Sequence, residues 1–168
     1  PSQTSILTSL YPSTHLVLHD GDRLAPAVVT LAERFREAGF VTGAFIDGGY
    51  MKSQFGLDQG FDTYFDINGG GLGVGESHIS KWLAEQSKHR FFLLIHTYDV
   101  HTPYAPREPF RSRFTRDLPA PTPGFEPTSE ALESIRMSKY TAEPRFLAER
   151  DLEYARALYD GEVALVDD

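Results

Sequence analysis

The chain has 168 residues, 40% of them hydrophobic and 12% aromatic, which is enough apolar surface for one domain-sized core. Its formal charge of −8, from 16 Lys and Arg against 24 Asp and Glu, is spread without basic runs, which argues against nucleic acid or an anionic membrane surface as partners. There is no cysteine, so the stretch offers no disulfide, no thiolate-bound zinc and no thiol nucleophile. No apolar run reaches the roughly 18 residues of a membrane span.

Pro1 to Thr8 suits a helix start, because proline fits the first turn and Ser2, Gln3 and Thr4 can serve unpaired backbone donors. Such an end can also stabilise an anion through its N–H groups and dipole, so capping and anion binding both stand here. The spacing of Val28, Leu31, Ala32, Phe35 and Ala38 predicts a helix over Ala27 to Ala38, stopped by Gly39. Phe40 to Ile46 then reads as a strand buried on both faces. Residues 48–75 hold nine of the 14 glycines and read as turn and loop. Within them the run Gly69 to Gly75 follows no predicted strand and precedes no Gly-Lys-Ser/Thr, so it reads as a flexible connection, not a phosphate loop. Ile79, Trp82, Leu83 and Gln86 share a helical face ahead of Phe91 to His96, a short apolar run that suits one buried strand. Two helix-to-strand units in succession predict an α/β sheet with parallel neighbours.

Eight of the 11 prolines fall between about Pro103 and Pro144, too many for a long helix or a central strand, and this segment reads as a peripheral insertion with one short helix at Ser129 to Met137. From Phe146 onward helical spacing returns, with Leu147, Tyr154, Leu158, Gly161 and Leu165 on one stripe. The acids Asp160, Glu162, Asp167 and Asp168 on that helix read as a solvated face. Pro1 at the start and Asp167-Asp168 inside an unfinished helical pattern predict an interior piece of a longer chain.

The best-placed polar cluster is His96-Thr-Tyr-Asp99-Val-His101-Thr-Pro-Tyr104, which begins where a strand ends. Ligands in open α/β sheets bind beyond the carboxyl ends of the strands. His96, Asp99 and His101 can converge there on an anion or a metal. The alternative is an ordinary strand exit whose imidazoles satisfy backbone carbonyls.

In order along the chain, five blocks resemble the sulfatase family, arylsulfatase-like members of the alkaline phosphatase superfamily. Pro1-Ser-Gln-Thr-Ser-Ile-Leu-Thr-Ser-Leu-Tyr-Pro12 is similar to the family signature, whose nucleophile lies two positions before a Pro-Ser. Thr30 to Phe40 resembles its helix-to-strand unit, Phe55 to Tyr64 its Gly-Phe-Asp loop, Phe91 to Tyr104 its strand ending in His-x-x-Asp-Pro-His-x-Pro-Tyr, and Tyr159 to Asp168 the helix that follows. The resemblance implies an α/β fold, a fragment of an alkaline-phosphatase-like sandwich with a mostly parallel central sheet flanked by helices. Residues 1–168 would be part of the catalytic domain, with about 103–144 as the insertion.

What the resemblance implies chemically is metal-dependent hydrolysis of small-molecule or carbohydrate sulfate esters through a covalent nucleophile. That nucleophile, a formylglycine made from Cys or Ser, would sit two residues before Pro1. A divalent cation, calcium as a rule, would be held mainly by residues outside the chain, and no metal ligand is assigned within it. By the same resemblance His101 matches the sulfate-contacting histidine, Ser2 and Gln3 are substrate-binding residues beside the nucleophile, and His96 and Asp99 support them. The family's habit is periplasmic or secreted, and the 168 residues by themselves are expected to be inactive. Departures from the pattern are Gln3 for an arginine, Ser9 for a glycine, Val100 for a proline, and Asp47-Gly48-Gly49 where many arylsulfatases have Gly-Lys-Trp-His. The missing lysine is absent or supplied by Lys52 or another residue. These departures keep two rivals open: a phosphodiesterase or phosphonate monoester hydrolase of the same superfamily, and a non-catalytic anion- or glycan-binding relative.

Overall fold

Proline at the head of the chain sets the first element. In the computed structural model, which describes residues 1–168, Pro1 occupies the N-cap of helix α1 (Ser2–Thr8), and α2 (Pro12–His15) follows. No side chain caps α1, contrary to the capping expected of Ser2, Gln3 and Thr4. A capping oxygen comes from the residue before the helix, and proline has none on its side chain.

Helix α3 (Leu31–Glu37) begins later than its apolar spacing predicts because Thr30 caps it. Thr30 Oγ1 accepts the Glu33 N–H at 3.2 Å while the Glu33 carboxylate accepts the Thr30 N–H at 2.8 Å, a reciprocal capping box. Strand β1 (Val41–Ile46) follows as expected, with Thr42 to Ile46 buried. Strand β2 (Thr63–Asp66) was not predicted: four residues are too few for an alternation to stand out beside a loop. Helix α4 (Gly71–Gln86) then takes in most of the glycine run expected to be a flexible connection. Gly75 is there for packing, since a Cβ on it would lie 2.5 Å from Ile67 Cδ1.

With β3 (Phe91–His96) these strands form a three-stranded parallel sheet in the order β2-β1-β3, in which Ile46 is level with both Asp66 and His96. Alternate residues of the central strand enter two cores. Ala44 and Ile46 join Leu7, Val17, Leu24, Met51 and Leu57 on one face. Phe45 joins Ile67 and Trp82 on the other. Helices on both faces of a parallel sheet make this an α/β fold. The prediction of full burial for Phe91 to His96 is corrected: β3 is an edge strand, and Phe91 and Ile95 stay 40% and 44% exposed.

The chain divides into two units, residues 1–98 and 99–168. The second holds α5 (Phe110–Thr115), α6 (Ser129–Ser138) and α7 (Glu149–Asp167). Gly161 lets the loop at Pro106 approach α7, since a Cβ there would lie 2.8 Å from Pro106 Cγ. The acids of α7 are not all a solvated face. Glu162 is buried and accepts the Ala105 N–H at 2.8 Å. Asp151, also buried, accepts the Thr122 N–H and hydroxyl, each at 2.7 Å, and the backbone bond holds its carboxyl below the usual carboxylate range.

Candidate functional site at the strand ends

Parallel strands send their carboxyl ends, and the loops that leave them, to one edge of the sheet. At that edge of the first unit β1 delivers Asp47, β2 delivers Asp66 and β3 delivers His96. The ladder runs one bond further than the strand, with the Asp47 N–H donating to the His96 carbonyl at 3.0 Å. Asp47 is 4% exposed; its Oδ2 accepts the Tyr98 N–H at 3.3 Å, and its Oδ1 is buried without a hydrogen-bond partner. His96 Nδ1 is likewise buried and unpartnered. Burial pushes the His96 imidazole down from its ordinary range, while the nearby Asp47 charge works the other way. An unpaired buried polar atom on each of these two neighbouring residues costs stability, which is a feature of functional sites.

The turn after Asp47 depends on glycine. Gly48 and Gly49 both have positive φ, at 70° and 57°, and a Cβ on Gly49 would collide with the Tyr98 ring. Lys52, the candidate for the lysine that the sulfatase resemblance implies, has its ammonium 4.0 Å from Asp66 Oδ2.

Beside these strand ends lies a cavity of about 240 Å³. One wall is the first turn of α1, with Ser2, Gln3 and Thr4; His96 and Tyr98 come from the β3 exit, and Tyr50 from the turn after β1. Asp20 and Asp22 complete it from the loop after α2. Asp22 Oδ2 accepts the N–H groups of Leu18 and His19, each at 2.7 Å, which holds its carboxyl below the usual range and shapes the loop. A hydrogen bond to Asp20 raises the Tyr50 phenol.

Three of the sequence-predicted site residues, Ser2, Gln3 and His96, therefore share one cavity. Asp99 and His101 open the second unit. His101 is exposed, and its Nδ1–H donates to the Thr102 carbonyl at 2.9 Å, the only role a ring nitrogen can take toward a carbonyl. Nε2 is then the nitrogen that can meet an anion, and it donates a hydrogen bond only in the imidazolium form. Asp20, Tyr50 and Tyr98 were not singled out from the sequence. Asp20 sits in a polar turn, and only the folded sheet brings it beside the two tyrosines.

Ser5 and His15 resemble a nucleophile and base, with Ser5 Oγ 3.0 Å from His15 Nε2. His15 Nδ1 accepts the Val17 N–H at 3.1 Å, so Nε2 carries the proton and donates to Ser5. The pair ties α1 to α2 and does not activate the serine. No three His, Asp or Glu side chains gather as a metal cage. Calcium takes about six to eight oxygen ligands, so these residues do not form a site for it by themselves.

A parallel sheet covered by helices on both faces, with a cavity at its carboxyl edge, defines the fold class: part of an alkaline-phosphatase-like α/β sandwich. The phosphonate monoester hydrolase of Agrobacterium radiobacter is similar over 99% of this chain and 47% of its own, with a TM-score of 0.66 and 17% identity. The phosphonate monoester hydrolase SpPMH from Silicibacter pomeroyi gives 99% and 47%, a TM-score of 0.64 and 15% identity. The lipoteichoic acid synthase LtaP from Listeria monocytogenes gives 99% and 38%, a TM-score of 0.52 and 16% identity. The chain thus spans about half the length, or less, of these solved structures, and at such identities the likeness establishes the fold. No known family profile matches the chain, and no curated protein does.

Proposed function

We propose that residues 1–168 form part of the catalytic domain of an ester hydrolase of the alkaline phosphatase superfamily, with sulfate esters as its substrates. The observation that carries this reading is the cavity shared by Ser2 and Gln3 at the head of α1 and His96 at the end of β3. A nucleophile two residues before Pro1 would stand beside that cavity, as the sulfatase resemblance implies. Its attack on sulfur forms one S–O bond and breaks the bond to the alcohol, which leaves with the proton the nucleophile gives up; sulfate leaves in a second step, water being consumed over the cycle, and splitting hydrolysis in two lowers each barrier. His101 would donate a hydrogen bond to a sulfuryl oxygen as charge builds there. His96 and Asp99 would hold the surrounding loop.

A second reading, phosphonate monoester or phosphodiester hydrolysis, is favoured by the names of the two most similar solved structures above. The same fold can serve a phosphoryl centre. The test compares initial rates of the full-length protein on 4-nitrophenyl sulfate and on 4-nitrophenyl phenylphosphonate. Faster release from the sulfate is the expected result. Faster release from the phosphonate selects the second reading, and no release from either overturns both.

A further inference from the structure

Asp47 and His96 sit at the carboxyl ends of neighbouring strands, joined by the bond from the Asp47 N–H to the His96 carbonyl at 3.0 Å. Asp47 is 4% exposed and uses one carboxylate oxygen, Oδ2, to accept the Tyr98 N–H at 3.3 Å. Its Oδ1 and the Nδ1 of His96 are both buried without a partner. Leaving either unpaired costs stability, and the two are complementary. A carboxylate oxygen only accepts, and Nδ1 donates whenever it carries the imidazole proton. We propose that Asp47 is a positioning residue for His96: its Oδ1 holds the proton of the neutral imidazole on Nδ1 and leaves Nε2 bare, as a proton acceptor for the cavity that His96 lines. The proposal rests on the ester-hydrolase reading and deepens it by naming the group that carries its proton.

That reading moves one proton from the nucleophile to the departing alcohol. A bare Nε2 takes this proton as the nucleophile's bond to sulfur forms. The imidazolium so made returns it to the alcohol oxygen as the bond between sulfur and that oxygen breaks, so the ring ends neutral. The Asp47 carboxylate steadies the positive ring between the two transfers. Burial pushes the imidazole below its ordinary range, which keeps the resting ring neutral and able to accept. With its proton on Nε2 instead, the ring has no free lone pair to offer the cavity. The other titratable groups in the cavity walls are His19, Asp20, Asp22, Tyr50 and Tyr98. Asp20 is exposed, and Asp22 Oδ2 is occupied by the N–H groups of Leu18 and His19. Asp66 lies on the other side of β1 from His96, with the Lys52 ammonium 4.0 Å away. Asp47 is thus the buried carboxylate on the residue bonded to His96.

Two measurements on the full-length protein test the pair. Ring-nitrogen chemical shifts of ¹⁵N-histidine-labelled protein, assigned with His96→Gln, tell a protonated nitrogen from a bare one. At about pH 8, above the ordinary histidine range, the wild type should carry the proton on Nδ1. Asp47→Asn is isosteric. With its oxygen still accepting the Tyr98 N–H, its amide NH₂ donates to Nδ1, so the ring proton should move to Nε2. In the second measurement, kcat of Asp47→Asn on 4-nitrophenyl sulfate should fall on the order of 10²-fold with KM little changed. The fall should be larger on phenyl sulfate, whose poorer leaving group depends more on the returned proton. Loss of a merely structural bond would not move a proton from one ring nitrogen to the other. A wild-type proton on Nε2, or an Asp47→Asn protein with tautomer and kcat unchanged, overturns the pair, and the wild-type tautomer decides even where Asp47→Asn does not fold. Turnover with the wild-type proton on Nε2 removes the pair and leaves the hydrolase reading. The Nδ1 tautomer without turnover of these sulfates or of 4-nitrophenyl phenylphosphonate keeps the pair and removes that reading.

Discussion

Gly43 sits at the middle of the central strand, where its missing side chain makes room for Trp82. A Cβ built on it lies 2.6 Å from Trp82 Cζ2 and 2.8 Å from Cε2, so Gly43→Ala obliges the indole to withdraw by about 0.8 Å to reach an ordinary 3.4 Å contact. The indole has little freedom to do so. It is 5% exposed, its Nε1–H donates to Thr63 Oγ1 at 3.2 Å, and it meets Phe45 and Phe91 edge-on at 6.2 Å and 5.5 Å. Overpacking of this kind costs about 1–3 kcal/mol, more than the few tenths to about 1 kcal/mol that alanine returns by restricting the unfolded chain. Urea unfolding of the full-length protein followed by far-UV circular dichroism should show a lower midpoint for Gly43→Ala at unchanged slope. Adding Trp82→Phe should recover about 1 kcal/mol or more relative to additivity, because the new methyl fills space the smaller ring vacates. A midpoint equal to wild type, or strictly additive single and double variants, would refute the packing described for β1 and α4.

Two further outcomes follow from buried polar groups. His96 has its pKa lowered by burial, so the unfolded chain binds a proton as pH falls below about 6.5 while the native imidazole resists it. The stability held by the neutral ring is therefore present above that pH and lost as pH falls through the lowered native value. His96→Gln should flatten this acid limb in denaturation midpoints taken between about pH 7 and pH 5, and superimposable limbs would contradict it. In the second unit, Glu162→Ala strands the Ala105 N–H and should cost about 1–3 kcal/mol in thermal or urea unfolding, with Glu162→Gln milder because it keeps an acceptor. Equal losses for the two would mean that the hydrogen bond is not what holds that loop.

Much of the fold was legible where pattern and cap agree. Strand β1 is an apolar, β-branched stretch after a glycine stop, and α6 starts one residue after Thr128, whose hydroxyl accepts the Ala131 N–H at 3.1 Å. The misses have physical causes. Strand β2 is a four-residue strand whose hydrogen bonds depend on β1, a partner some twenty residues away. Helix α4 runs through glycines that local propensity disfavours, because Gly75 must accommodate Ile67. Glu162 reads as surface charge until the Ala105 backbone reaches it from a loop 57 residues earlier. In the site, Ser2, Gln3 and His96 were legible because each stands at the end of a predictable element. Asp20, Tyr50 and Tyr98 were not, since their meeting depends on two loops and on a Gly48-Gly49 turn whose conformation only the folded sheet explains.

The proposed function gives His101 a part in ester cleavage. The most direct measurement is kcat/KM of the full-length protein and its His101→Ala variant on 4-nitrophenyl sulfate, with 4-nitrophenyl phenylphosphonate alongside. The account predicts turnover by the wild type and a fall on the order of 10²-fold in the variant, the loss expected when one donor to a developing oxyanion is removed. Equal rates for the two proteins would contradict it.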